Sequence, residues 1–204
     1  MQRFAIIDIE ISNQMDKTNW DNRKADPILI GALLCEEGQI HGLVQLPRTK
    51  DMTKEQFSSN IKQLLSSLDN ADYKLYALNA AFETESIEAY TGQRYLFHEI
   101  RGNLKGFLSS KDNLWQFLRK SLKLPEIEDS LKGNAALCPQ YYHFYKETHE
   151  HKFLQDIISH NTQCLLKEFY ILLNMDTITK FAVTDNNGFI TGWGEQNAND
   201  NNRQ

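Results

Sequence analysis

The sequence has few of the features that mark membrane or secreted proteins. Its three cysteines, Cys35, Cys138 and Cys164, are an odd number at irregular spacing. This spacing argues against a disulfide framework and favours free thiols in a reducing compartment. No apolar run approaches the roughly 20 residues that cross a bilayer, and the chain opens in a strand-like segment that lacks the hallmarks of a signal peptide. We therefore expect a cytoplasmic protein without a membrane partner.

Several common catalytic motifs are also missing. The chain contains no G-x-x-x-x-G-K-[ST], no G-x-G-x-x-G and no G-x-S-x-G, which argues against a phosphate-binding loop and against a nucleophile elbow. No internal repeat is visible. The chain has 204 residues, of which 41% are hydrophobic and 24% charged, an ordinary composition for one well-buried globular domain.

Charge is unevenly distributed along the chain. The net charge of −5 disfavours a polyanionic partner when taken alone. Within residues 101–125, however, six basic residues stand against the single acid Asp112: Arg101, Lys105, Lys111, Arg119, Lys120 and Lys123. This segment is either a surface that binds phosphates or a solvated cationic helix face.

The hydrophobic pattern of the first half predicts a three-stranded meander followed by alternating helices and strands. The expected strands are 3–11, 28–35, 40–46 and 73–80. Thr53 and Gln56 form a capping-box pattern at the start of a helix over 53–69. A second helix over 82–90 is expected to end at Gly92.

The second half is predicted to be mainly helical, with a long helix over 152–173 and a hairpin formed by 181–184 and 189–193 around Asn186-Asn187-Gly188. We expect one α/β domain over 1–175, a hairpin extension of the same domain over 176–195, and a disordered tail over 196–204.

Two acids stand in the first predicted strand. Asp8 and Glu10 are two residues apart, so their side chains project from the same face of an otherwise apolar ribbon. Burying two like charges is costly unless a cation neutralises them. Hard divalent ions such as Mg²⁺ or Mn²⁺ prefer oxygen ligands of this kind. The alternative is that this face of an edge strand is solvated.

The sequence around these acids resembles the motifs of DnaQ-like, or DEDD, 3′–5′ exonucleases of the ribonuclease H-like superfamily. Asp8-Ile9-Glu10 followed by Ile30-Gly31 resembles their first motif, and Leu78-Asn79-Ala80-Ala81-Phe82-Glu83 resembles their second. The helical half, residues 122–173, resembles the YprB-like predicted exonucleases. The resemblance implies a ribonuclease H-like fold in which helices flank a mixed sheet, an antiparallel meander followed by parallel strands.

The resemblance also implies a metal-dependent reaction. In this family four acids hold two ions, Mg²⁺ or Mn²⁺, that hydrolyse a phosphodiester. Asp8, Glu10 and Glu83 match the first three acids, which are implied to be catalytic and to bind metal. Cys164 stands at the fourth position, and His160 stands where a tyrosine of the family orients the attacking water. A thiol is a poor ligand for Mg²⁺. Only one ion is therefore expected unless a neighbouring carboxylate, Glu168 or Asp156, replaces the missing fourth acid.

The leading hypothesis is therefore a 3′–5′ exonuclease that acts on the 3′ end of single-stranded DNA or RNA. Candidate nucleic-acid-binding residues are Asn79, Phe82, Arg101, Lys105, Lys111, Arg119, Lys120 and Lys123. Trp115 and Phe117 are candidates for base stacking, although Phe117 is better placed in the core. The alternative is a catalytically impaired domain that serves as a nucleic-acid-binding or protein-interaction module.

A third reading is a zinc site. His160 and Cys164 lie four residues apart on one helix face, and zinc prefers nitrogen and sulfur ligands. The other candidates are Cys138, His143, His149 and His151. Against this reading, the chain has neither C-x-x-C nor H-E-x-x-H.

Overall fold

The computed structural model describes residues 3–13, 21–101, 111–176 and 178, together with the backbone of 182–184 and 190–193. Helices flank a five-stranded sheet with both antiparallel and parallel pairs, so the expected α/β class and mixed sheet are confirmed. Lys105 and the 196–204 tail lie outside the described residues.

The sheet is built around the first strand. Its strands are β1 (Arg3–Ile11), β2 (Pro27–Glu36), β3 (Gln39–Pro47), β4 (Lys74–Ala77) and β5 (His98–Glu99). Their spatial order is β3-β2-β1-β4-β5. The first three strands form an antiparallel meander, whereas β4 and β5 run parallel to β1. The carboxyl ends of β1 and β4 therefore meet at the same edge of the sheet.

In the described part of the chain, five α-helices accompany the sheet: α1 (Lys54–Asn70), α2 (Ala80–Thr91), α3 (Lys111–Leu122), α4 (Cys138–Thr148) and α5 (His151–Leu173). Short 3₁₀ helices cover Asn22–Lys24 and Ala135–Leu137. No helix in the described part of the chain is both long and apolar enough to span a bilayer.

Local sequence signals account for several of these boundaries. The Thr53 side chain accepts a hydrogen bond from the Gln56 backbone while the Gln56 side chain accepts one from the Thr53 backbone, so the predicted capping box begins α1. Gly92 ends α2 with a left-handed φ of 73°. The strand expected over 73–80 stops at Ala77, because Asn79 already serves as the N-cap of α2. The two-residue β5 was missed, since so short a segment shows no periodicity.

Side chains of β1 alternate between two apolar layers. Odd-numbered residues such as Ile7 pack against α1 and α2, whereas even-numbered residues such as Phe4 and Ile6 pack against α3 and α5. This arrangement buries the strand on both faces, as its isoleucine-rich sequence predicts. Asp8 and Glu10 share the parity of Ile6 and therefore face α5.

The predicted C-terminal hairpin is confirmed at the backbone level. Strands β6 (Ala182–Thr184) and β7 (Ile190–Trp193) pair antiparallel in a sheet of their own. The turn expected at 186–188 lies outside the described residues.

Candidate metal centre

Buried carboxylates gather where β1 and β4 end. Asp8 and Glu10 are buried near the carboxyl end of β1. Glu83 is buried in the first turn of α2, which starts directly after β4. Burial, and then the negative charges of Asp8 and Glu168, raise the pKa of Glu83 well above its usual value. Four carboxylates thus share one electrostatic environment, with Glu168 of α5 as the fourth.

One lysine neutralises part of this cluster, which we call the acid cluster (Asp8, Glu10, Glu83 and Glu168). The Lys111 ammonium donates to Asp8 Oδ1 at 3.3 Å and to Glu168 Oε1 at 2.8 Å. Burial would lower the pKa of Lys111, but Asp8, Cys164 and Glu168 raise it well above its usual value. The partly buried Lys111 ammonium is therefore paired with the acid cluster in this structure.

One ammonium does not balance the acid cluster. Burial first, and then the charge of Asp8, raise the pKa of Glu10 to about 8. Burial also raises the pKa of Glu168 to about 8, against the opposing effect of Lys111. Within the described residues, Glu83 Oε2 and Glu168 Oε2 are buried without a hydrogen-bond partner. Unpartnered carboxylate oxygens are suitable ligands for a hard divalent cation, so the residues present fit such an ion.

Asn161 ties α5 to the acids of β1. Its side-chain amide donates to the Asp8 carbonyl oxygen at 3.2 Å, to Asp8 Oδ2 at 2.8 Å and to Glu10 Oε1 at 3.5 Å. Gly31 of β2, paired with Asp8, makes room for this side chain. A Cβ atom at Gly31 would overlap Asn161 Oδ1 and would lie 2.7 Å from Leu165 Cδ1. The glycine of the Ile30-Gly31 motif is therefore explained by the close approach of α5.

We expect Gly31→Ala to lower the free energy of unfolding by about 2 kcal/mol, because the added methyl group overpacks a buried contact. Chemical denaturation measures this change. Gly42→Ala in β3 is the matched control, since its nearest atom, Leu34 Cδ1, lies 3.8 Å from the new Cβ. Equal stability of the two variants would show that α5 does not pack this closely on β2.

Asp129 positions the buried His160. His160 Nδ1 lies 2.9 Å from both oxygens of Asp129, which also accept hydrogen bonds from the Leu131 and Gly133 backbone at 2.9 and 3.1 Å. Burial acts to raise the pKa of Asp129, but the hydrogen bond and charge of His160 hold it below its usual value. Asp129 therefore holds the buried His160 ring in place.

His160 Nε2 points to two further buried groups. It lies 3.8 Å from Glu10 Oε1 and 3.6 Å from Cys164 Sγ. Cys138 donates its thiol hydrogen to Glu10 Oε2 at 3.2 Å. Burial raises the pKa of Cys164 well above its usual value, while Lys111 opposes that shift. Cys164 therefore lies at the cluster, as its place in the motif predicts, and Glu168 one turn later supplies the carboxylate.

A small cavity opens onto the cluster. Its volume is ≈120 Å³, and its lining includes Asp8, Glu10, Lys111, His160 and Cys164. Pockets for drug-sized ligands occupy about 300–1,000 Å³. This cavity accommodates ions, water and a small anionic group, but not a whole nucleotide.

The predicted nucleic-acid-binding residues do not form one basic surface in the described chain. Arg101 pairs with Glu99 at 2.8 Å and donates to Asn79 Oδ1 at 3.2 Å. Arg119 pairs with Glu126 at 3.1 Å. Lys120 and Lys123 are exposed at the end of α3, and Phe82 is half-buried against the apolar layer of α1 and α2.

The aromatic residues of α3 face inward. Trp115 is buried with its ring 5.8 Å from that of Tyr170, so the structure contradicts its proposed role in base stacking. Phe117 is partly buried against the core, as its helical spacing predicts.

The histidines proposed as additional zinc ligands lie elsewhere. His143 is exposed and pairs with Glu147 at 3.1 Å. His149 follows α4 in a left-handed conformation and contacts Lys50 at 3.1 Å, and His151 is exposed at the start of α5. Of the six candidates, only Cys138, His160 and Cys164 come together beside Glu10.

With this geometry in view, the chain was compared with known proteins. No protein-family model matches the sequence, and no curated protein matches it. The side chains of the acid cluster are therefore the basis for its chemistry.

Two residues that contact the acid cluster, Asn161 and Lys111, were hard to recognise from the sequence. Asn161 is a polar residue next to His160 on an otherwise apolar helix face, a position where an unpartnered amide would be costly. Lys111 was grouped with the other basic residues of its segment. Charge composition alone does not distinguish an internal lysine from a surface lysine.

Proposed function

We propose that this protein is a divalent-metal-dependent phosphodiester hydrolase of the DnaQ-like group, a 3′–5′ exonuclease with a ribonuclease H-like fold. The support for this proposal is the motif resemblance together with a mixed sheet in which an antiparallel meander is followed by parallel strands.

One observation carries the proposal: Asp8, Glu10, Glu83 and Glu168 converge in one buried cluster although they come from three different elements. A purely structural role explains such a cluster poorly, because buried carboxylates destabilise a fold unless cations accompany them. Functional sites concentrate groups whose pKa is strongly shifted.

These side chains suit the chemistry of phosphodiester hydrolysis. Asp8, Glu10, Glu83 and Glu168 would hold Mg²⁺ or Mn²⁺, which on binding activates water and stabilises the negative charge of the leaving oxygen. Asn161 orients both carboxylates of β1. The small cavity would hold the ions and the scissile phosphate, while the rest of a single-stranded end would lie across its mouth.

The exposed lysines of α3 support a nucleic-acid substrate. Lys120, in the last turn of α3, and Lys123, just after the helix, are exposed about 15 Å along the helix axis from Lys111, which is paired with the acid cluster. A backbone phosphate on this side of the site would meet positive charge. DNA and RNA both meet this requirement.

Lys111 itself favours a second candidate function, a catalytically impaired domain that binds nucleic acid or protein. Its ammonium bridges Asp8 and Glu168, where a metal ion would otherwise neutralise both. Cys164 stands where the DnaQ-like family has its fourth acid, so one oxygen ligand is missing from the same cluster. An active enzyme needs added ions to displace Lys111 or to bind beside it, whereas a binding module does not.

Nucleotide release from labelled single-stranded DNA and RNA tests the proposal. With Mn²⁺ or Mg²⁺ we expect mononucleotide products from the 3′ end, and we expect Asp8→Asn to lower the rate at least about 100-fold, a loss of about 3 kcal/mol in transition-state stabilisation. Asp69→Asn is the control, since Asp69 is exposed on α1.

If the rates of wild type and Asp8→Asn are equal, the released nucleotides come from a contaminant and the hydrolase proposal fails. If wild type binds oligonucleotides without cleaving them in either metal, the alternative function of a nucleic-acid-binding module replaces the hydrolase proposal.

A further inference from the structure

Glu10, His160 and Cys164 form a donor set that differs in kind from the four carboxylates. Their ligand atoms, one oxygen, one nitrogen and one sulfur, all lie within 4.8 Å of one another. Tetrahedral zinc with ordinary bond lengths holds nitrogen and sulfur about 3.6 Å apart, and nitrogen and oxygen about 3.4 Å apart. The separations in this structure are 3.6 Å for His160 Nε2 to Cys164 Sγ and 3.8 Å for His160 Nε2 to Glu10 Oε1. Small side-chain movements would complete the geometry.

Asp129 sets the tautomer of His160 that is suited to metal binding. Because Nδ1 faces the Asp129 carboxylate, the ring hydrogen is held on Nδ1 and the Nε2 lone pair points to Glu10 and Cys164. Metal-bound histidines commonly donate their other nitrogen to a carboxylate in this way, which sets the tautomer and raises ligand basicity. The backbone of Leu131 and Gly133 holds Asp129 in turn.

The glutamate is oriented as well. Cys138 donates to Glu10 Oε2, and Oε1, which accepts a 3.5 Å hydrogen bond from Asn161, lies on the side of His160. Acidic groups surround the set, because Asp8 acts on both Glu10 and Cys164 and Glu168 acts on Cys164. Among the described residues, Lys111 is paired with two of these acids. A dication is thus electrostatically favoured beside the lysine.

The mixture of ligand atoms selects the metal. Mg²⁺ and Ca²⁺ prefer oxygen alone, whereas zinc binds carboxylate, imidazole and thiolate together. We propose that Glu10, His160 and Cys164 bind one Zn²⁺ ion, with its fourth position open to the cavity. The inference goes beyond the proposed hydrolysis and does not depend on it, since the donor set suits zinc whatever the substrate.

The surroundings of the open position indicate what it binds. Lys111 and Lys167 line the same cavity as the three ligands. Lys167 is buried and lies 3.8 Å from Asp129 Oδ2. Both ammonium groups are already paired with acids. Each has three donors, so they can still donate hydrogen bonds to an oxygen ligand at the fourth position, such as hydroxide or a phosphate oxygen.

Metal analysis of the whole chain, purified without a histidine tag, provides the test. We expect one zinc per chain by mass spectrometry of the metal content. After the zinc is replaced by Co²⁺, we expect a thiolate-to-cobalt charge-transfer band. We expect Cys164→Ser to abolish the band, and Asp129→Asn to weaken zinc affinity about 10- to 100-fold while the band remains.

Two cysteine variants serve as controls. Cys35→Ser removes a buried thiol of β2 and should leave zinc content and the cobalt band unchanged. Circular dichroism and the thermal midpoint show whether each variant is folded. A band that survives Cys164→Ser but is lost in Cys138→Ser would overturn the assignment, and so would a folded wild type that binds zinc no more tightly than Cys164→Ser.

The zinc inference and the hydrolase proposal fail separately. Zinc binding with no nucleotide release in any metal would refute the hydrolase and leave the zinc site standing. Asp8-dependent nucleotide release in a protein without zinc affinity would refute the zinc site alone.

Discussion

Lys111→Met is expected to destabilise the metal-free protein by about 3–5 kcal/mol at about pH 8.5, because it leaves Asp8 and Glu168 as buried charges without their cation. At about pH 5.5 the expected loss is smaller, since the Glu168 carboxyl group, whose pKa is about 8, is then protonated and loses a hydrogen-bond donor instead of an ion-pair partner. Lys111 lowers the pKa of Glu168, of Glu10 and of Glu83, so its removal makes all three harder to ionise. Denaturant unfolding at the two pH values measures the difference.

The same helix offers the control for this variant. Lys120 is exposed on α3, and Lys120→Met should change stability by less than about 0.5 kcal/mol at either pH. Added Mn²⁺ should raise the stability of Lys111→Met more than that of wild type, because the ion supplies the missing positive charge. A loss that is the same at both pH values would mean that Lys111 acts through packing and not through charge.

The metal-free wild type is expected to lose about 2–5 kcal/mol of stability between about pH 5 and pH 8. The pKa of Glu10 and of Glu168 is about 8 in the folded chain, against an ordinary 4.5, mainly because both groups are buried. The folded chain therefore binds more protons than the unfolded chain in this range. The stabilisation that these two glutamates provide is complete below their pKa in the unfolded chain, and it is lost as the pH rises through their pKa in the folded chain. Thermal or denaturant unfolding across the pH range measures the slope.

Divalent metal should reverse this trend. A bound ion requires ionised carboxylates, so stabilisation by Mn²⁺ or Zn²⁺ should grow as the pH rises, and an ion at 100 times its dissociation constant adds about 2.7 kcal/mol. Glu10→Gln and Glu168→Gln should each flatten the metal-free slope, whereas Glu147→Gln, on the exposed face of α4, should not. A wild-type stability that rises over this range without metal would contradict the raised pKa of both groups.

Much of the fold follows from short-range patterns. The apolar run of β1 predicts a strand buried on both faces, and the structure confirms its bounds as Arg3–Ile11. The Thr53 capping box and the left-handed Gly92 mark the start of α1 and the end of α2. These features depend on backbone hydrogen bonds and φ angles of a few neighbouring residues, so the sequence expresses them directly.

Part of the candidate site was also visible in the sequence. The spacing of Asp8 and Glu10 requires that both face the same way, and the motif resemblance pointed to Glu83 and Cys164. All four lie at the cluster. The charge run of α3 was a poorer guide. It did not reveal that Lys111 enters the protein while Arg119 pairs with Glu126 on the surface.

By itself, the sequence determined most of the strands and helices and the pair of acids on one face of β1, because these depend on residues that are close together along the chain. Only the tertiary structure decided that Lys111 pairs with Asp8, that Asp129 orients His160, and that Asn161 contacts both acids. The partners in these contacts are separated by 103, 31 and more than 150 residues. They meet because α3 and α5 pack across the sheet and because Gly31, without a side chain, lets α5 approach. Three-dimensional packing therefore decides which donors and charges surround the buried acids.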